Sequence, residues 1–129
     1  ELEQPLYDII NKYPNIEHYI GFVDDEHFKY YISHSKYCVL NYRGTYFDRS
    51  SGVVLDVIFN GTPVVGTRCS ALGMVEKAGL GFLYESISEI DGLDLFDEEK
   101  YKLLLDGLLN YMHSQRLLKK VLYKFITGK

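Results

Sequence analysis

Two aspartates flank a Ser-Ser-Gly segment, and together they form the part of this sequence best suited to chemistry. Asp48 and Asp56 are separated by seven residues, and an apolar run from about Gly52 to Asn60 follows the serines. That run predicts a helix, whose free N–H groups and positive dipole end favour an anion at its N-terminus. Gly52 lets a ligand approach the backbone closely. We therefore expect a diphosphate site here, with the Asp56 carboxylate about one turn further on to accept hydrogen bonds from vicinal hydroxyls.

Four short apolar runs predict the strands that would position this helix. Each is bounded by Gly, Pro, Asn or Asp, and none alternates cleanly between apolar and polar residues, as expected for strands covered on both faces. Helical patterns lie between the runs, which predicts a parallel sheet of right-handed crossovers with ligands at the carboxyl ends of the strands. The predicted strands are Ile16 to Ile20, Tyr37 to Tyr42, Thr62 to Gly66 and Gly81 to Tyr84.

Capping residues and apolar spacing predict the helices on either side of the second strand. The first is capped by Asp24 or Asp25 and runs to about Ser35, and the second is capped by Ser50 or Ser51. Their inward faces are predicted to carry Phe28, Tyr31 and Ile32 in the first helix and Val54, Leu55 and Ile58 in the second.

Four further helices are predicted, and the last two follow one another at the C-terminus. They are Pro5 to Lys12, Ala71 to Ala78 closed by Gly79, a long amphipathic helix that begins at Asp97-Glu98-Glu99, and a second C-terminal helix carrying Leu117 to Ile126. The expected fold is one α/β domain, a Rossmann-like doubly wound parallel sheet with helices on both faces and two helices at the C-terminus.

Composition narrows the function classes. A chain of 129 residues with 47% hydrophobic and 25% charged residues suits one globular domain. The formal net charge of -4 gives no general basic surface for nucleic acid, and no apolar stretch approaches the roughly 20 residues that span a bilayer. Two cysteines suggest a reducing compartment rather than a disulfide framework. The four histidines have no zinc-ligand spacing, and neither a nucleophile elbow nor a P-loop occurs.

The segment Phe47 to Thr67 resembles the donor-site signature of retaining glycosyltransferases of the two-domain GT-B type. That signature has a Glu, seven residues, a second Glu and a short helix that ends in Gly-Thr-Pro-Val-Val. Asp48, Asp56 and the run from Gly61 to Val65 occupy those positions here. The turn Gly21-Phe22-Val23 and the segment Gly79 to Leu83 also resemble family features, so that the resemblance covers roughly residues 15 to 90.

The resemblance implies a role for each part of the candidate site. Asp48 would be the catalytic acidic residue near the donor sugar, and Asp56 would bind the ribose hydroxyls. No metal or cofactor is implied, and the substrate would be a UDP-sugar or GDP-sugar. The donor-binding residues would be Arg49, Ser50, Ser51, Gly52, Val53 and Asp56, with Gly21, Phe22, Asn41 and Tyr42 as candidates for the wall near the base.

The resemblance also implies an architecture. Residues 1–129 would be the C-terminal nucleotide-sugar-binding domain of a glycosyltransferase in polysaccharide biosynthesis, with the N-terminal acceptor domain and a first strand outside the sequence. Such an enzyme transfers a sugar with retention of configuration to a glycan or a lipid-linked acceptor. The fragment alone is expected to be inactive.

Two alternatives remain open at the level of sequence. One is a non-catalytic flavodoxin-like interaction module or a receiver-type module, since Asp24-Asp25 follow a predicted strand, although no Lys is suitably placed after a late strand. The other concerns the last helix, where Lys119, Lys120 and Lys124 lie outside an apolar stripe. Packing on its own domain or on the partner domain is favoured there over peripheral contact of the parent protein with a membrane. The expected location is the cytoplasm, including the inner face of the membrane.

Overall fold

Parallel strands form the centre of the molecule. The structure is a computed structural model, and it describes residues 4–18, 21–44 and 52–128. Within that part of the chain, β1 (Cys38–Leu40), β2 (Val64–Thr67) and β3 (Gly81–Tyr84) form an open three-stranded sheet in the order β1-β2-β3. Both pairs are parallel, with Val39 opposite Val65 and Val65 opposite Phe82. The predicted parallel α/β arrangement is confirmed for these strands.

Helices alternate with the strands and lead into a long C-terminal helix. Asp24 caps α2 by accepting a hydrogen bond from the backbone of His27, and Asp97 caps α5 by accepting one from Lys100. These caps lie where the sequence predicts them. The helices are α1 (Gln4–Lys12), α2 (Asp25–Ser33), α3 (Gly52–Phe59), α4 (Gly73–Ala78) and α5 (Glu98–Thr127), with 3-10 turns at Ser70–Leu72 and Ile87–Gly92.

The predicted first strand, Ile16 to Ile20, is wrong over residues 16–18, which have no strand pairing. The backbone N–H of Ile16 donates a 3.0 Å hydrogen bond to the carbonyl of Tyr13, across the turn at residues 14 and 15. A turn at this point uses the donor that a strand ladder would need. Residues 19 and 20 lie outside the described residues.

The prediction of two C-terminal helices is also wrong, because α5 runs unbroken for 30 residues. Its interior contains no Pro, and after Gly107 it contains no Gly, so no residue stops it before Gly128. Gly128 ends the helix in the left-handed conformation, at φ 69°. Among the described residues, no helix is both long enough and apolar enough to cross a membrane.

Two predicted inward residues face water instead. Leu55 is 40% exposed, and Val57 takes the inward place beside Val54 and Ile58 in α3. Tyr31 is likewise exposed, because Ile32 and its neighbour one turn earlier, Phe28, form the inward side of α2. In both helices the spacing of three and four residues predicts that one face is apolar and turned inward. The sequence does not decide which of two neighbouring residues lies on that face.

The core lies around β2, where all four residues are buried. Burial on both faces of this strand confirms the reading of its sequence as an unalternating run. The helices and loops around the sheet supply the other buried side chains. The fully buried members include Val54, Val57, Ile58, Leu72, Val75, Leu80 and Leu108.

Candidate functional site

A polar network ties together the carboxyl ends of the three strands. Asn41 follows β1, and its Oδ1 accepts hydrogen bonds from the Tyr84 hydroxyl at 2.9 Å and from the Thr67 hydroxyl at 3.3 Å. Tyr84 is 2% exposed, and Thr67 is also buried, whereas Asn41 reaches solvent. Because Oδ1 accepts both bonds, Nδ2 is the donor that this fixed amide offers to a ligand at the edge.

The first turn of α3 lies at the same edge of the sheet. Since β1 and β2 are parallel, α3 must carry the chain back from the carboxyl edge to the amino edge, so Gly52 begins the helix at the carboxyl edge. A Cβ at Gly52 would meet nothing within 4 Å, and Val53 is 41% exposed. The described part of this helix N-terminus is therefore open to a ligand.

Four of the predicted site residues lie outside the described residues. These are Asp48, Arg49, Ser50 and Ser51. The roles expected for them, as the catalytic acid and as the cradle of a diphosphate, stay predictions.

Asp56 lies on the second turn of α3, and its side chain is exposed rather than directed into the core. It lines a cleft of about 320 Å³ between α3 and the first half of α2. Asn60 lies one turn further along in the same cleft, and its Nδ2 donates a 2.7 Å hydrogen bond to the backbone carbonyl of Asp56. A carboxylate in this position can accept hydrogen bonds from hydroxyl groups of a bound molecule.

The other wall of this cleft comes from α2 and adds a cation. Asp25, Phe28 and Lys29 line it. The cleft therefore combines two carboxylates, an ammonium group and an apolar ring, a mixture that suits a ligand with both hydroxyl and anionic groups. Sequence reasoning missed Lys29, although its position four residues after Asp25 places the two on one face of α2.

Gly21 and Phe22 precede α2 in the chain, and the first half of α2 forms this wall. Gly21 has a φ of 110°, which an L-side chain rarely adopts. Phe22 follows with its ring 87% exposed, available to stack on a planar group. Tyr42, the other aromatic candidate, is half-buried and packs against the core cluster, so its ring serves packing at least in part.

The N-cap of α2 fixes a negative charge near this wall. Asp24 accepts a 2.9 Å hydrogen bond from the backbone N–H of His27 and lies 2.7 Å from the His27 ring nitrogen Nδ1. The backbone bond, followed by the bond to the ring, lowers the pKa of Asp24 below its usual 3.8. Asp24 is thus committed to capping the helix.

The Gly-Thr-Pro motif that ends α3 has a structural role of its own. Gly61, at φ 81°, closes the helix in a Schellman arrangement, in which Gly61 N–H bonds to Ile58 and Thr62 N–H to Val57. The buried Pro63 accepts a bond from the backbone of Cys38 at the start of β1. These residues join α3 to the sheet, so this part of the motif explains the fold rather than the binding of a ligand.

Compared with the models of known protein families, with curated proteins and with solved structures, the chain matches none of them. A proposal for its function must therefore be argued from its own residues and their geometry.

Proposed function

We propose that the chain is the donor-binding domain of a retaining GT-B glycosyltransferase, with the described strands forming part of a doubly wound sheet. One observation carries the proposal. Asp56 is exposed on the second turn of a helix whose first turn is open at the carboxyl edge of a parallel sheet. That is the placement a ribose-binding acid needs when the preceding turn holds a diphosphate.

The diphosphate of the donor would bind at the beginning of α3. Backbone N–H groups of Gly52 and Val53 and the positive end of the helix dipole favour negative charge there, and the predicted cradle residues Ser50 and Ser51 would add to it. Transfer breaks the bond between the anomeric carbon of the sugar and the phosphate oxygen and forms one to the acceptor hydroxyl. Charge then develops on the leaving diphosphate, and fixed hydrogen-bond donors at this site would lower the energy of the transition state. Arg49 would add a cation on the leaving group, and Asp48 would lie near the sugar.

The nucleoside would extend from the diphosphate along α3. Asp56 would accept hydrogen bonds from the ribose hydroxyls, and the exposed ring of Phe22 would stack on the base. Asn41 Nδ2 would contribute a donor from the strand ends. The cleft beside Asp56 also holds Lys29 and Asp25, and this mixture of charges supports a ligand that carries hydroxyls as well as phosphate better than a simple anion.

The capping role of Asp24 supports this proposal over a receiver-type module. A receiver uses clustered acids to hold a cation for phosphoryl chemistry, whereas Asp24 is occupied by the backbone and ring of His27. Asp25 lines the same cleft as Asp56 and Lys29. The two carboxylates and the lysine ammonium group in that cleft suit a polar ligand that carries hydroxyl groups.

Calorimetric titration of the chain with UDP, GDP and their sugars tests the proposal. The chain should bind one nucleotide series weakly, and Asp56→Asn should reduce the affinity roughly tenfold to a hundredfold, as expected for hydrogen bonds to a charged group. Asp106→Asn, at an exposed position of α5, is the matched control and should leave binding unchanged. The proposal would be ruled out if no heat of binding were measured with the folded chain and none with a longer form that carries the acceptor domain.

A further inference from the structure

Charge is distributed unevenly between the C-terminal segment, residues 107–129, and the rest of the chain. Residues 107–129 contain five Lys and Arg residues and no Asp or Glu, which leaves nine basic and all eighteen acidic residues in 1–106. The C-terminal segment therefore carries a formal charge of +5 on a chain whose remainder carries -9. A field of this sign favours an anionic partner for the segment.

The C-terminal half of α5, residues 116–127, is also amphipathic and uncovered. Every residue of this half is exposed, so the expected packing of this half on its own domain is wrong. Leu104 and Leu108, in contrast, anchor the first half in the core. At 3.6 residues per turn, six of its apolar side chains fall on one half of the helix circumference, which we name the apolar stripe. The stripe consists of Leu117, Leu118, Val121, Leu122, Phe125 and Ile126, with exposures from 49% to 86%.

The opposite half of the circumference is cationic. Basic residues, His113, Tyr123 and the stripe residue Leu117 line an open surface cavity of about 560 Å³ along this part of α5. Lys119 and Lys124 fall at the two borders between this face and the apolar stripe, where their long stems can lie on apolar groups while the ammonium groups reach outward. The cations in the cavity wall are Arg116, Lys119, Lys120 and Lys124.

We propose that the C-terminal half of α5 lies in the plane of an anionic lipid surface. The apolar stripe would enter the acyl boundary, and the lysines at its borders would bind lipid phosphates, the arrangement that interfacial helices adopt. Charge decides against pairing of two copies through their stripes, since that would bring two segments of +5 together. Because the first half of α5 is anchored in the core, such binding holds the sheet domain at the surface.

Vesicle sedimentation with the whole chain tests this inference. The chain should bind vesicles in which about a third of the lipid is phosphatidylglycerol, bind phosphatidylcholine vesicles at least tenfold more weakly, and be released by salt. Neutralising three cations (Lys119→Gln, Lys120→Gln, Lys124→Gln) should weaken binding by roughly a hundredfold. Lys102→Gln, on the first half of α5, is the matched control and should bind as the unmodified chain does.

A fluorescent probe reports the face that enters the lipid. The chain has no Trp, so Phe125→Trp places a single indole in the apolar stripe and Tyr123→Trp places one on the cationic face. Anionic vesicles should shift the emission of the first variant to the blue and leave that of the second nearly unchanged. Equal shifts in both, or equal binding to neutral and anionic vesicles, would overturn the inference.

Other occupants of the stripe give different results. A dimer in sedimentation equilibrium that Leu122→Asp dissociates, without vesicle binding, would assign the stripe to a second copy and overturn the inference. Loss of vesicle binding in a longer chain that includes an acceptor domain would assign the stripe to that domain and would equally overturn the inference. None of these outcomes depends on nucleotide binding, so failure here leaves the proposed donor site standing.

Discussion

Thr62 donates a 2.6 Å hydrogen bond from its side-chain hydroxyl to the backbone carbonyl of Ile32, and both residues are buried. The bond joins the end of α2 to the turn that follows α3. The two helices that form the walls of the candidate cleft are thus fixed to one another by a residue of the Gly-Thr-Pro motif.

Removing this hydroxyl should destabilise the fold. Thr62→Val keeps the shape of the side chain but leaves the Ile32 carbonyl without this donor, which should lower the free energy of unfolding by about 1–2 kcal/mol. Urea denaturation followed by circular dichroism measures the change.

Thr127→Val provides the control for this substitution. The Thr127 hydroxyl donates a 2.7 Å bond to the carbonyl of Tyr123, but this bond is exposed on α5. The same substitution should therefore change stability by less than about 0.5 kcal/mol. If the two substitutions lowered the free energy of unfolding equally, burial of the Thr62 hydrogen bond would not explain the loss.

Tyr84→Phe tests the network at the carboxyl edge of the sheet. The variant loses the 2.9 Å bond to Asn41 at a fully buried ring, and we expect the free energy of unfolding to fall by about 1 kcal/mol. The affinity for the nucleotide should fall as well, because the Asn41 amide loses one of the two hydrogen bonds that hold it. Tyr123→Phe, on an exposed ring, should change neither quantity; unchanged nucleotide affinity in Tyr84→Phe would remove Asn41 from the proposed site.

The sequence predicts the central elements well because their signals are local. Apolar runs bounded by Gly and Pro locate β2 and β3 within two residues, and Asp24 and Gly79 delimit helices by caps that need only a few neighbouring residues. The failure at Ile16 has the opposite origin, since strand formation there requires a partner strand that local pattern does not supply.

The candidate site divides in the same way. The position of Asp56 on an exposed helix face follows from spacing alone, and the structure places it there. Lys29 belongs to the same cleft only because α2 packs beside α3, and no spacing along the chain predicts that neighbour. The hydrogen bond from Thr62 to Ile32 is one tertiary contact that holds α2 beside α3.

Gly107 should tolerate no side chain, although it lies inside a helix. An added Cβ would lie 2.6 Å from the carbonyl oxygen of Gly79, where α5 passes over the end of α4. Gly107→Ala should therefore destabilise the fold by about 1–3 kcal/mol, despite the better helix propensity of Ala. Thermal and urea unfolding measure this loss.

Gly73→Ala is the opposite case and controls for helix propensity. Gly73 has a helical φ of -56°, and a Cβ there meets nothing within 4 Å. The substitution should stabilise the fold by about 0.5–1 kcal/mol. If Gly107→Ala stabilised the fold to the same extent, α5 would not lie as close to the end of α4 as the structure shows.

Acid should weaken the N-cap of α2 through Asp24. Hydrogen bonds from the backbone and ring of His27 lower the pKa of Asp24 in the folded state below 3.8. The unfolded chain therefore binds the proton more readily, so the stabilisation is present above about pH 4 and is lost as the pH falls through the lowered pKa. Asp24→Asn keeps a capping side chain but removes the titration, and its unfolding temperature should fall less between about pH 5 and pH 2. Asp106→Asn should retain the pH dependence of the unmodified chain, and a parallel fall in all three proteins would exclude Asp24 as its source.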